Sequence, residues 1–481
     1  MLADIFSEAA GRHASRLALT DPHTRLRYDE LTERATAAAA AFRAHRGTGE
    51  RVRVGLCAAN SADYVVAYLA VLLSGHVPFL IDSAFSPGEV ALIADDCGLD
   101  LLVHDERPVE VAGAEPAGPL PTGARILHLT SLPAPADRAD LLPDTEVCRF
   151  TSGSTGKPNC IEFSGRTVTA AATNWRDGTG LTADDRVACF AGLSNGLAFN
   201  TSLLSVFLAG ASLHLSRGLP TGGRIARLIE EVEATRLVGF PALYESILRR
   251  GLAADVVRRI GVAISSGAPL RPESRKAFAE HTGVGIRSYY GLAEAGPLTF
   301  STDPGDLSGL GAALPGVTLR AGRPGAPDVI RVRSASMGSR YLNAPGVFEA
   351  RLDADGFYRT GDQGFLDDDG VLHLTGRTGR VINVGGRKVD PIEVTDLLRR
   401  AEGVHEAVVF EDVDRHGESQ VAAAVTGEPW LTPEKLREHC AGELSDYKIP
   451  ARILVLDEIP ANSIGKPSLQ ALRALTARTP R

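Results

Sequence analysis

The sequence predicts an α/β protein: a large first part of stacked, mostly parallel subdomains, followed by a smaller α+β unit. Helical patterns alternate with short apolar strand patterns through most of the chain, which is typical of a parallel sheet covered by helices. One strand pattern, Glu146 to Phe150, runs directly into a loop of Gly, Ser, Thr and Lys residues. Near the end of the chain the alternation gives way to a different mixture of strands and helices.

The elements follow in chain order from hydrophobic periodicity and from cap and turn residues. Helices are predicted at Tyr28–His45, Asn60–Ser74, Arg166–Trp175, Asn200–Leu208, Arg224–Ala234 and Leu243–Gly251, and later at Pro391–Ala401 and Thr432–Cys440. Strands are predicted at Val52–Cys57, Val77–Ile81, Arg125–Leu129, Glu146–Phe150, Arg186–Phe190, Leu237–Phe240 and Val262–Ser266, and later at Gly370–Leu374, Ala407–Glu411 and Gln420–Val425. The Pro- and Gly-rich segment Pro108–Pro143 is predicted to cross the surface around its one short strand.

Composition excludes several classes of function. The 481 residues carry a formal net charge of −8, so there is no basic footprint for nucleic acid or for a membrane surface. The most apolar run, Tyr64–Ile81, is interrupted by Gly75 and Pro78 and is predicted to be a buried helix and strand rather than a membrane span. The six cysteines show no CxxC pair, which is typical of reduced thiols.

The N-terminal residues Met1–Ala10 have no basic region followed by a long apolar core, so we expect no signal peptide and a cytoplasmic protein. The arginine-rich, lysine-poor composition suggests a bacterial source with a GC-rich genome. Secondary metabolism is the expected setting, and we expect a monomer or a homodimer.

The loop after Phe150 has the composition of a phosphate-binding site, because backbone N–H groups and hydroxyls in such a loop converge on an anion. Its residues are Thr151, Ser152, Gly153, Ser154, Thr155, Gly156 and Lys157, followed by Pro158. The spacing is not that of the Walker loop, which has four residues between its first glycine and Gly-Lys. Taken alone, the loop is equally consistent with a flexible Ser/Gly connection.

Further motifs resemble those of the adenylate-forming superfamily, which holds acyl- and aryl-CoA synthetases, peptide synthetase adenylation domains and luciferases. The motifs are Thr151–Pro158, Tyr289-Tyr290-Gly291-Leu292-Ala293-Glu294, Tyr358-Arg359-Thr360-Gly361-Asp362, Gly376-Arg377 and Ser463-Ile464-Gly465-Lys466. They occur in the family's order and spacing over nearly the whole chain. The resemblance implies a large AMP-binding domain at 1–376 and a small mobile lid at 377–481, with a hinge near 378–380.

The resemblance also implies a role for each motif residue. The loop Thr151–Lys157 would hold the β- and γ-phosphates of ATP, and Glu294 would bind Mg²⁺, a metal that suits oxygen ligands and bridges phosphates. The predicted nucleotide contacts are Gly267 and Ala268 opposite the adenine, Tyr290 and Gly291 at the ring, and Asp362 and Arg377 at the ribose. Lys466, with Thr151 and Glu294, would be catalytic, because it would reach the carboxylate and the α-phosphate.

Several positions depart from the family pattern. Asn159 stands where a lysine usually follows Lys157-Pro158, and Cys160 replaces the next glycine. Ala293 replaces a threonine before Glu294, and Gly379 occupies the hinge position. These departures are compatible with a specialised enzyme, with slower adenylation, with altered chemistry in the second step, or with loss of activity in a nucleotide-binding homologue.

The predicted acid-binding residues are Asn195, Gly196, Phe240, Ser266, Gly291 and Leu292. The stretch Phe190–Leu197 contains no carboxylate to pair with a substrate ammonium, which disfavours an α-amino acid. We therefore expect an uncharged acyl or aryl carboxylic acid to be activated as acyl-AMP and passed to a pantetheine thiol. Because the segment from Val384 to Pro391 resembles that of CoA synthetases, CoA is the expected acceptor. A stand-alone loader of a carrier protein, an enzyme that activates an oxyanion such as nitrite, and a non-catalytic homologue remain alternatives.

Overall fold

The computed structural model describes the chain in two compact units. It describes all residues except 46–50, 107–108, 124–125, 134, 136, 152–157, 217–220, 251–253, 268–269, 271, 304, 306–308, 378–380, 461–467 and 479–481. The first unit comprises residues 1–83, 93–150 and 160–378, and the second comprises 84–92, 151–159 and 379–481. Among the described residues, no helix is long and apolar enough to cross a membrane.

The strands up to residue 377 are β1 (Leu17–Asp21), β2 (Thr24–Arg27), β3 (Arg53–Cys57), β4 (Val77–Leu80), β5 (Leu101–His104), β6 (Glu115–Leu120), β7 (Leu127–Ser131), β8 (Thr145–Thr151), β9 (Asn159–Ser164), β10 (Arg186–Cys189), β11 (Ser212–Leu215), β12 (Arg236–Gly239), β13 (Val262–Ser265), β14 (Ile286–Leu292), β15 (Gly296–Phe300), β16 (Ala312–Ala313), β17 (Val317–Arg320), β18 (Asp328–Ser334), β19 (Arg340–Tyr341), β20 (Tyr358–Leu366) and β21 (Leu372–Arg377). The helices over the same span are α1 (Leu2–Arg12), α2 (Tyr28–His45), α3 (Ala62–Leu73), α4 (Pro87–Cys97), α5 (Gly165–Thr179), α6 (Gly196–Ala198), α7 (Leu204–Ala209), α8 (Gly222–Val232), α9 (Pro241–Arg250), α10 (Ala254–Val257) and α11 (Pro272–Thr282).

Two large mixed sheets dominate the first unit. One has the order β16-β15-β14-β13-β12-β10-β11-β1-β2, and its central strands are parallel. The other has the order β19-β9-β8-β4-β3-β5-β7-β6, again with parallel central strands. A four-stranded antiparallel sheet, β17-β18-β20-β21, completes the unit. The predicted α/β class with mostly parallel sheets is therefore confirmed.

Most predicted helices and strands of this unit are confirmed to within a few residues. The helix Tyr28–His45 has the predicted bounds, and α3 begins after Ser61, whose side chain accepts a hydrogen bond from the Tyr64 amide at 3.1 Å. Ser61 caps the helix, because its oxygen satisfies one of the amides that a helix start leaves without an intrahelical partner.

The segment Pro108–Pro143 was predicted wrongly as a crossing with one strand. It carries two strands, and β6, which holds Pro116 and Pro119, was missed. β6 lies at the edge of the eight-stranded sheet, where a residue without an N–H is tolerated. The strand predicted at Arg125–Leu129 is observed as Leu127–Ser131.

The second unit contains its own sheet and core. Its strands are β22 (Ile382–Val384), β23 (Arg387–Val389), β24 (Val404–Val413), β25 (Ser419–Gly427) and β26 (Arg452–Val455), and its helices are α12 (Pro391–Arg400), α13 (Pro433–Ala441) and α14 (Leu469–Arg478). The three-stranded sheet β24-β25-β26 packs on α12 and α13 through buried Val, Leu and Ala side chains. Thr432 caps α13 by accepting from the Lys435 amide, as predicted.

A buried lysine joins separate segments of this unit. The Lys448 ammonium, which is 3% exposed, donates to Glu89 Oε1 at 2.6 Å and to Glu393 Oε1 at 2.8 Å. Although burial opposes it, the attraction of the two carboxylates raises the pKa of Lys448. The residues that form this cluster were not identified from the sequence, because they are far apart along the chain.

Candidate active site

Four neighbouring parallel strands end at one edge of the nine-stranded sheet, and the predicted acid-binding residues follow them. In register, Cys189 of β10 lies beside Val238 of β12, Gly239 beside Ser265 of β13, and Ser265 beside Ser288 of β14. The residues at or just beyond these strand ends are Asn195, Gly196, Phe240, Ser266, Gly267, Tyr290, Gly291 and Leu292. In open α/β sheets, ligands bind outside the carboxyl ends of the strands. The topology therefore brings these predicted residues to an edge suited to binding.

Asn195 begins the short helix α6. Its side-chain oxygen accepts a hydrogen bond from the Leu197 amide at 2.9 Å, so that oxygen serves as the helix cap. The helix was predicted to begin at Asn200, but it begins at Gly196 and includes a π-helical turn, Phe199–Leu203. A π turn inserts one extra residue per turn, which helical periodicity does not reveal, and such turns are frequent at functional sites.

Gly267 follows β13 with a φ of +82°, a left-handed conformation that glycine adopts without strain. This leaves the backbone after Ser266 without a side chain beside the strand end. The adjacent Ala268, the loop residues Ser152–Lys157 and Lys466 lie outside the described residues. Thr151 is the last residue of β8 and is half-buried.

Tyr290 and Asp362, predicted at the adenine and the ribose, are hydrogen-bonded to each other. The Tyr290 hydroxyl donates to Asp362 Oδ2 at 2.8 Å, although the two residues are 72 positions apart. Asp362 is 1% exposed, and its amide donates to Thr360 Oγ1 at 3.0 Å within β20. The backbone of Arg377, the second predicted ribose contact, lies opposite Asp362 in the β20–β21 pair. The predicted adenosine contacts on β14 and β20–β21 are therefore neighbours in space.

Glu294, the predicted Mg²⁺ ligand, is oriented by a pair of tyrosines. The Tyr341 hydroxyl donates to Glu294 Oε1 at 2.8 Å and lies 3.2 Å from the Tyr358 hydroxyl. Burial raises the pKa of Tyr341 and raises that of Tyr358 to about 12, so both remain neutral donors at pH 7. Neither tyrosine was predicted to act here, although Tyr358 lies within one of the motifs.

A single carboxylate fits the predicted metal. In the portion of the chain that the structure describes, no group of three or more His, Cys, Asp or Glu side chains could hold a metal ion. Mg²⁺ is usually bound through one or two carboxylates together with substrate phosphates, so Glu294 alone suits Mg²⁺ better than a metal that needs a protein cage. The ion would neutralise phosphate charge when ATP is bound.

The two residues that depart from the family after Pro158 have different environments. Cys160 is fully buried, its amide donates to Asn343 Oδ1 at 2.8 Å, and burial raises the pKa of its thiol, which lies against Cys148 and Cys97. It is therefore a core thiol. Asn159 opens β9 and is half-buried, and it directly follows the predicted phosphate loop.

We expect the substitution Asn159→Lys to lower the Michaelis constant for ATP. A cation about 4 Å from a phosphate charge gains roughly 4 kcal/mol at an effective dielectric constant near 20, before desolvation is subtracted. The measurement compares this constant in the wild type, Asn159→Lys and the uncharged control Asn159→Ala, with one acid. A higher constant in the lysine variant, with the fold unchanged, would show that Asn159 is an adaptation of the loop.

Sequence reasoning also missed a further candidate functional residue, Arg149. Arg149 lies on β8 between Cys148 and Phe150, is 2% exposed, and adjoins Gly196. The available signal was an arginine between Cys148 and Phe150 in the predicted strand Glu146–Phe150. An arginine is seldom buried unless it is paired.

Comparison with known proteins agrees with the motif analysis. Residues 6–331 match the AMP-binding enzyme family and residues 393–466 match the AMP-binding enzyme C-terminal domain. The chain is 27% identical to a 4-chlorobenzoate–CoA ligase from Arthrobacter sp, covering 98% of this chain and 94% of the relative. It is 26% identical to a 3-hydroxybenzoate–CoA/4-hydroxybenzoate–CoA ligase from Thauera aromatica, covering 94% and 92%.

Solved structures show the same fold. O-succinylbenzoate CoA synthetase from Bacillus subtilis superposes with a TM-score of 0.82 at 21% identity, covering 98% of both chains. A malonyl-CoA ligase superposes with a TM-score of 0.79 at 25% identity, covering 93% of this chain and 97% of the other. Because the family match extends over more than half of the sequence, the chain belongs to the AMP-binding enzymes, the adenylate-forming superfamily, and is an ATP-dependent ligase of the acyl- and aryl-CoA synthetase type.

Proposed function

We propose that the protein activates an aromatic carboxylic acid without a cationic group and transfers the acyl group to CoA. The observation that supports this most directly is the Tyr290–Asp362 hydrogen bond, which puts the predicted adenine and ribose contacts side by side next to the strand ends that carry the predicted acid-binding residues. The named relatives that act on benzoates support an aromatic acid. The absence of a carboxylate from the described stretch 190–197 argues against an amino acid.

In the first half-reaction, a carboxylate oxygen of the acid attacks the α-phosphorus of ATP, and pyrophosphate leaves with the electron pair of the broken P–O bond. Asp362 would hold the ribose through its hydroxyls, and Tyr290 would stack on the adenine, which fixes the α-phosphorus relative to the strand ends. Lys466 would stabilise the charge that develops on the carboxylate and α-phosphate oxygens. Glu294, oriented by Tyr341, would supply the protein ligand to Mg²⁺.

In the second half-reaction, a thiol attacks the carbonyl carbon of the acyl-AMP and AMP leaves. We propose that the second unit moves about a hinge near residues 378–380 between the two half-reactions, as lids do in many enzymes. Gly385 and Gly386 belong to the segment whose resemblance to CoA synthetases predicted CoA as the acceptor. They have φ values of +58° and +87° in the two-residue turn between β22 and β23. The positive φ angles that such a hairpin turn requires are therefore enough to explain why both residues are glycines. Support for CoA therefore comes from the relatives.

The test is release of pyrophosphate and formation of AMP across a panel of benzoic, phenylacetic and aliphatic acids, with and without CoA. The proposal expects acid-dependent AMP formation whose rate increases strongly when CoA is added. A carrier-protein loader would instead need a pantetheine-bearing protein and would ignore CoA. Turnover with nitrite but with no carboxylic acid, or nucleotide binding without turnover, would overturn the proposal.

A further inference from the structure

Arg149 is a buried cation with few partners. Its guanidinium is 2% exposed, its Nη1 donates weakly to Asn200 Oδ1 at 3.4 Å, and its Nε has no hydrogen-bond partner. No ion pair of the described residues involves Arg149, and the Glu294 carboxylate attracts it only from beyond ion-pair distance. Arginines are rarely buried without such a partner, because removing an unpaired charge from water is costly.

Aromatic rings supply part of the missing stabilisation. The Arg149 guanidinium carbon lies 4.9 Å from the centre of the Phe199 ring and 5.2 Å from that of Phe163. Contacts of this kind stabilise a cation through the negative face of the ring, but they leave its N–H groups without acceptors. Burial lowers the pKa of Arg149 to about 10, so the group still carries its charge at neutral pH.

The position of Arg149 connects it with the predicted acid-binding residues. A Cβ added to Gly196 would lie 2.7 Å from Arg149 Nη2, and one added to Gly291 would lie 2.5 Å from the Tyr289 hydroxyl. Tyr289 lies near both Arg149 and Asn200, since each of them offsets part of the rise in the Tyr289 pKa that burial causes. Asn200 is also the weak acceptor of Arg149. Gly196 and Gly291, two of the predicted acid-binding residues, therefore lie directly against one polar cluster formed by Arg149, Asn200 and Tyr289.

A second polar group without a partner lies in the same region. The Tyr68 hydroxyl is buried and has no hydrogen-bond partner, and its ring packs edge-on against Phe199 with the ring centres 6.2 Å apart. Tyr68 and Arg149 are close enough that each affects the pKa of the other. Two buried donor atoms near the same phenylalanine, Arg149 Nε and the Tyr68 hydroxyl oxygen, have no acceptor. This indicates that the region is built to receive an acceptor that the chain itself does not supply.

We propose that Arg149 determines substrate specificity by donating hydrogen bonds to a second oxygen acceptor on the acid, distinct from the carboxylate that is activated. This inference rests on the proposed function and names its substrate class: an acid bearing a hydroxyl, carbonyl or second carboxylate oxygen. Because Gly196 has no side chain, nothing separates the Arg149 guanidinium from the place where we predict the acid to bind. An acid bearing an ammonium group is rejected, because it would place a like charge beside Arg149.

The first test uses the wild-type enzyme and size-matched acids. Benzoates carrying a hydroxyl or a second carboxylate are compared with methylbenzoates and aminomethylbenzoates, each as the 2-, 3- and 4-isomers, by kcat/KM for pyrophosphate release. We expect the best oxygen-bearing acid to exceed the best methylbenzoate by about 10- to 100-fold, the range for a hydrogen bond to a charged group. The hydroxyl and carboxylate series separate a neutral acceptor from an anionic one.

The second test uses Arg149→Met, with Arg53→Met as the matched control. Arg53 is also a buried arginine of the eight-stranded sheet, but its Nη1 and Nη2 donate to the Cys97 and Ala139 carbonyl oxygens at 2.7 and 2.5 Å. We expect Arg149→Met to reduce the ratio of kcat/KM for oxygen-bearing acids to kcat/KM for methylbenzoates to nearly one, mainly by raising KM for the oxygen-bearing acids. Arg53→Met should keep the wild-type ratio. Arg149→Lys, which keeps the charge but not the planar fork, should recover part of the preference.

Each outcome decides the proposal. Equal kcat/KM for oxygen-bearing and methyl acids in the wild type overturns it, and this result needs no variant to fold. The proposal is also overturned if Arg149→Met keeps the wild-type preference for oxygen-bearing acids, or if it lowers kcat/KM for every acid by the same factor. Either result would make Arg149 a structural cation. If no acid supports pyrophosphate release at all, the proposed function itself fails. Turnover of methylbenzoates without a preference removes only this inference.

Discussion

Replacement of Lys466 by alanine should reduce acid-dependent pyrophosphate exchange by about 100- to 1,000-fold, the usual cost of losing one preorganised contact to transition-state charge. The motif Ser463-Ile464-Gly465-Lys466 predicts that this lysine acts on the carboxylate and α-phosphate as charge develops there. ATP binding should remain nearly intact, because the contact strengthens in the transition state. Exchange and direct ATP titration measure the two properties separately.

Lys276→Ala is the control for this prediction. Lys276 lies on α11, its side chain is 68% exposed, and it pairs only loosely with Glu280 at 3.9 Å. Its removal should leave exchange unchanged. If exchange in Lys466→Ala stayed within about threefold of the wild type, well inside the expected loss, the catalytic role of Lys466 would be wrong.

Asp362→Ala should weaken ATP binding by at least about 100-fold. Its carboxylate is predicted to accept both ribose hydroxyls, and each charge-assisted hydrogen bond contributes roughly 1.5–3 kcal/mol. The substitution also leaves the buried Tyr290 hydroxyl without the acceptor that lies 2.8 Å away. Calorimetric titration with ATP measures the affinity directly, without depending on turnover.

Two variants separate these effects. Tyr290→Phe removes the hydroxyl and leaves the carboxylate, so we expect a much smaller loss of ATP affinity than in Asp362→Ala. Asp367→Ala removes another carboxylate after the same strand, one that accepts from His373 at 2.8 Å, and should not change ATP affinity. An unchanged affinity in Asp362→Ala would exclude Asp362 from the nucleotide site.

The parts of the fold that could be predicted are those in which local pattern and burial agree. The helix at Tyr28–His45 and the strand ending at Thr151 have strong periodicity and clear ends. β6 was missed because Pro116 and Pro119 are typical of loops. Proline is tolerated in this strand because the strand lies at the edge of its sheet. The π turn at Phe199–Leu203 escaped because one inserted residue barely changes a helical pattern.

The candidate site could be predicted where short motifs carry the chemistry, and not where distant segments meet. Tyr290 and Asp362 each belong to a motif, and the structure adds the hydrogen bond that joins them. The orientation of Glu294 by Tyr341 depends on residues 47 positions apart, which no local pattern reveals. Arg149 was visible as a charge between Cys148 and Phe150, but only three-dimensional contacts place it beside Gly196.

The most direct test of the central claim follows an oxygen atom through the reaction. An acid labelled with ¹⁸O in its carboxylate is incubated with ATP, Mg²⁺, CoA and the enzyme, and the AMP and pyrophosphate are analysed by mass spectrometry. If the carboxylate attacks the α-phosphorus, thiol attack on the acyl-AMP leaves one acid oxygen on the phosphate, so each AMP formed carries one ¹⁸O. Unlabelled AMP, or label that appears in phosphate or pyrophosphate, would contradict activation through an acyl-adenylate.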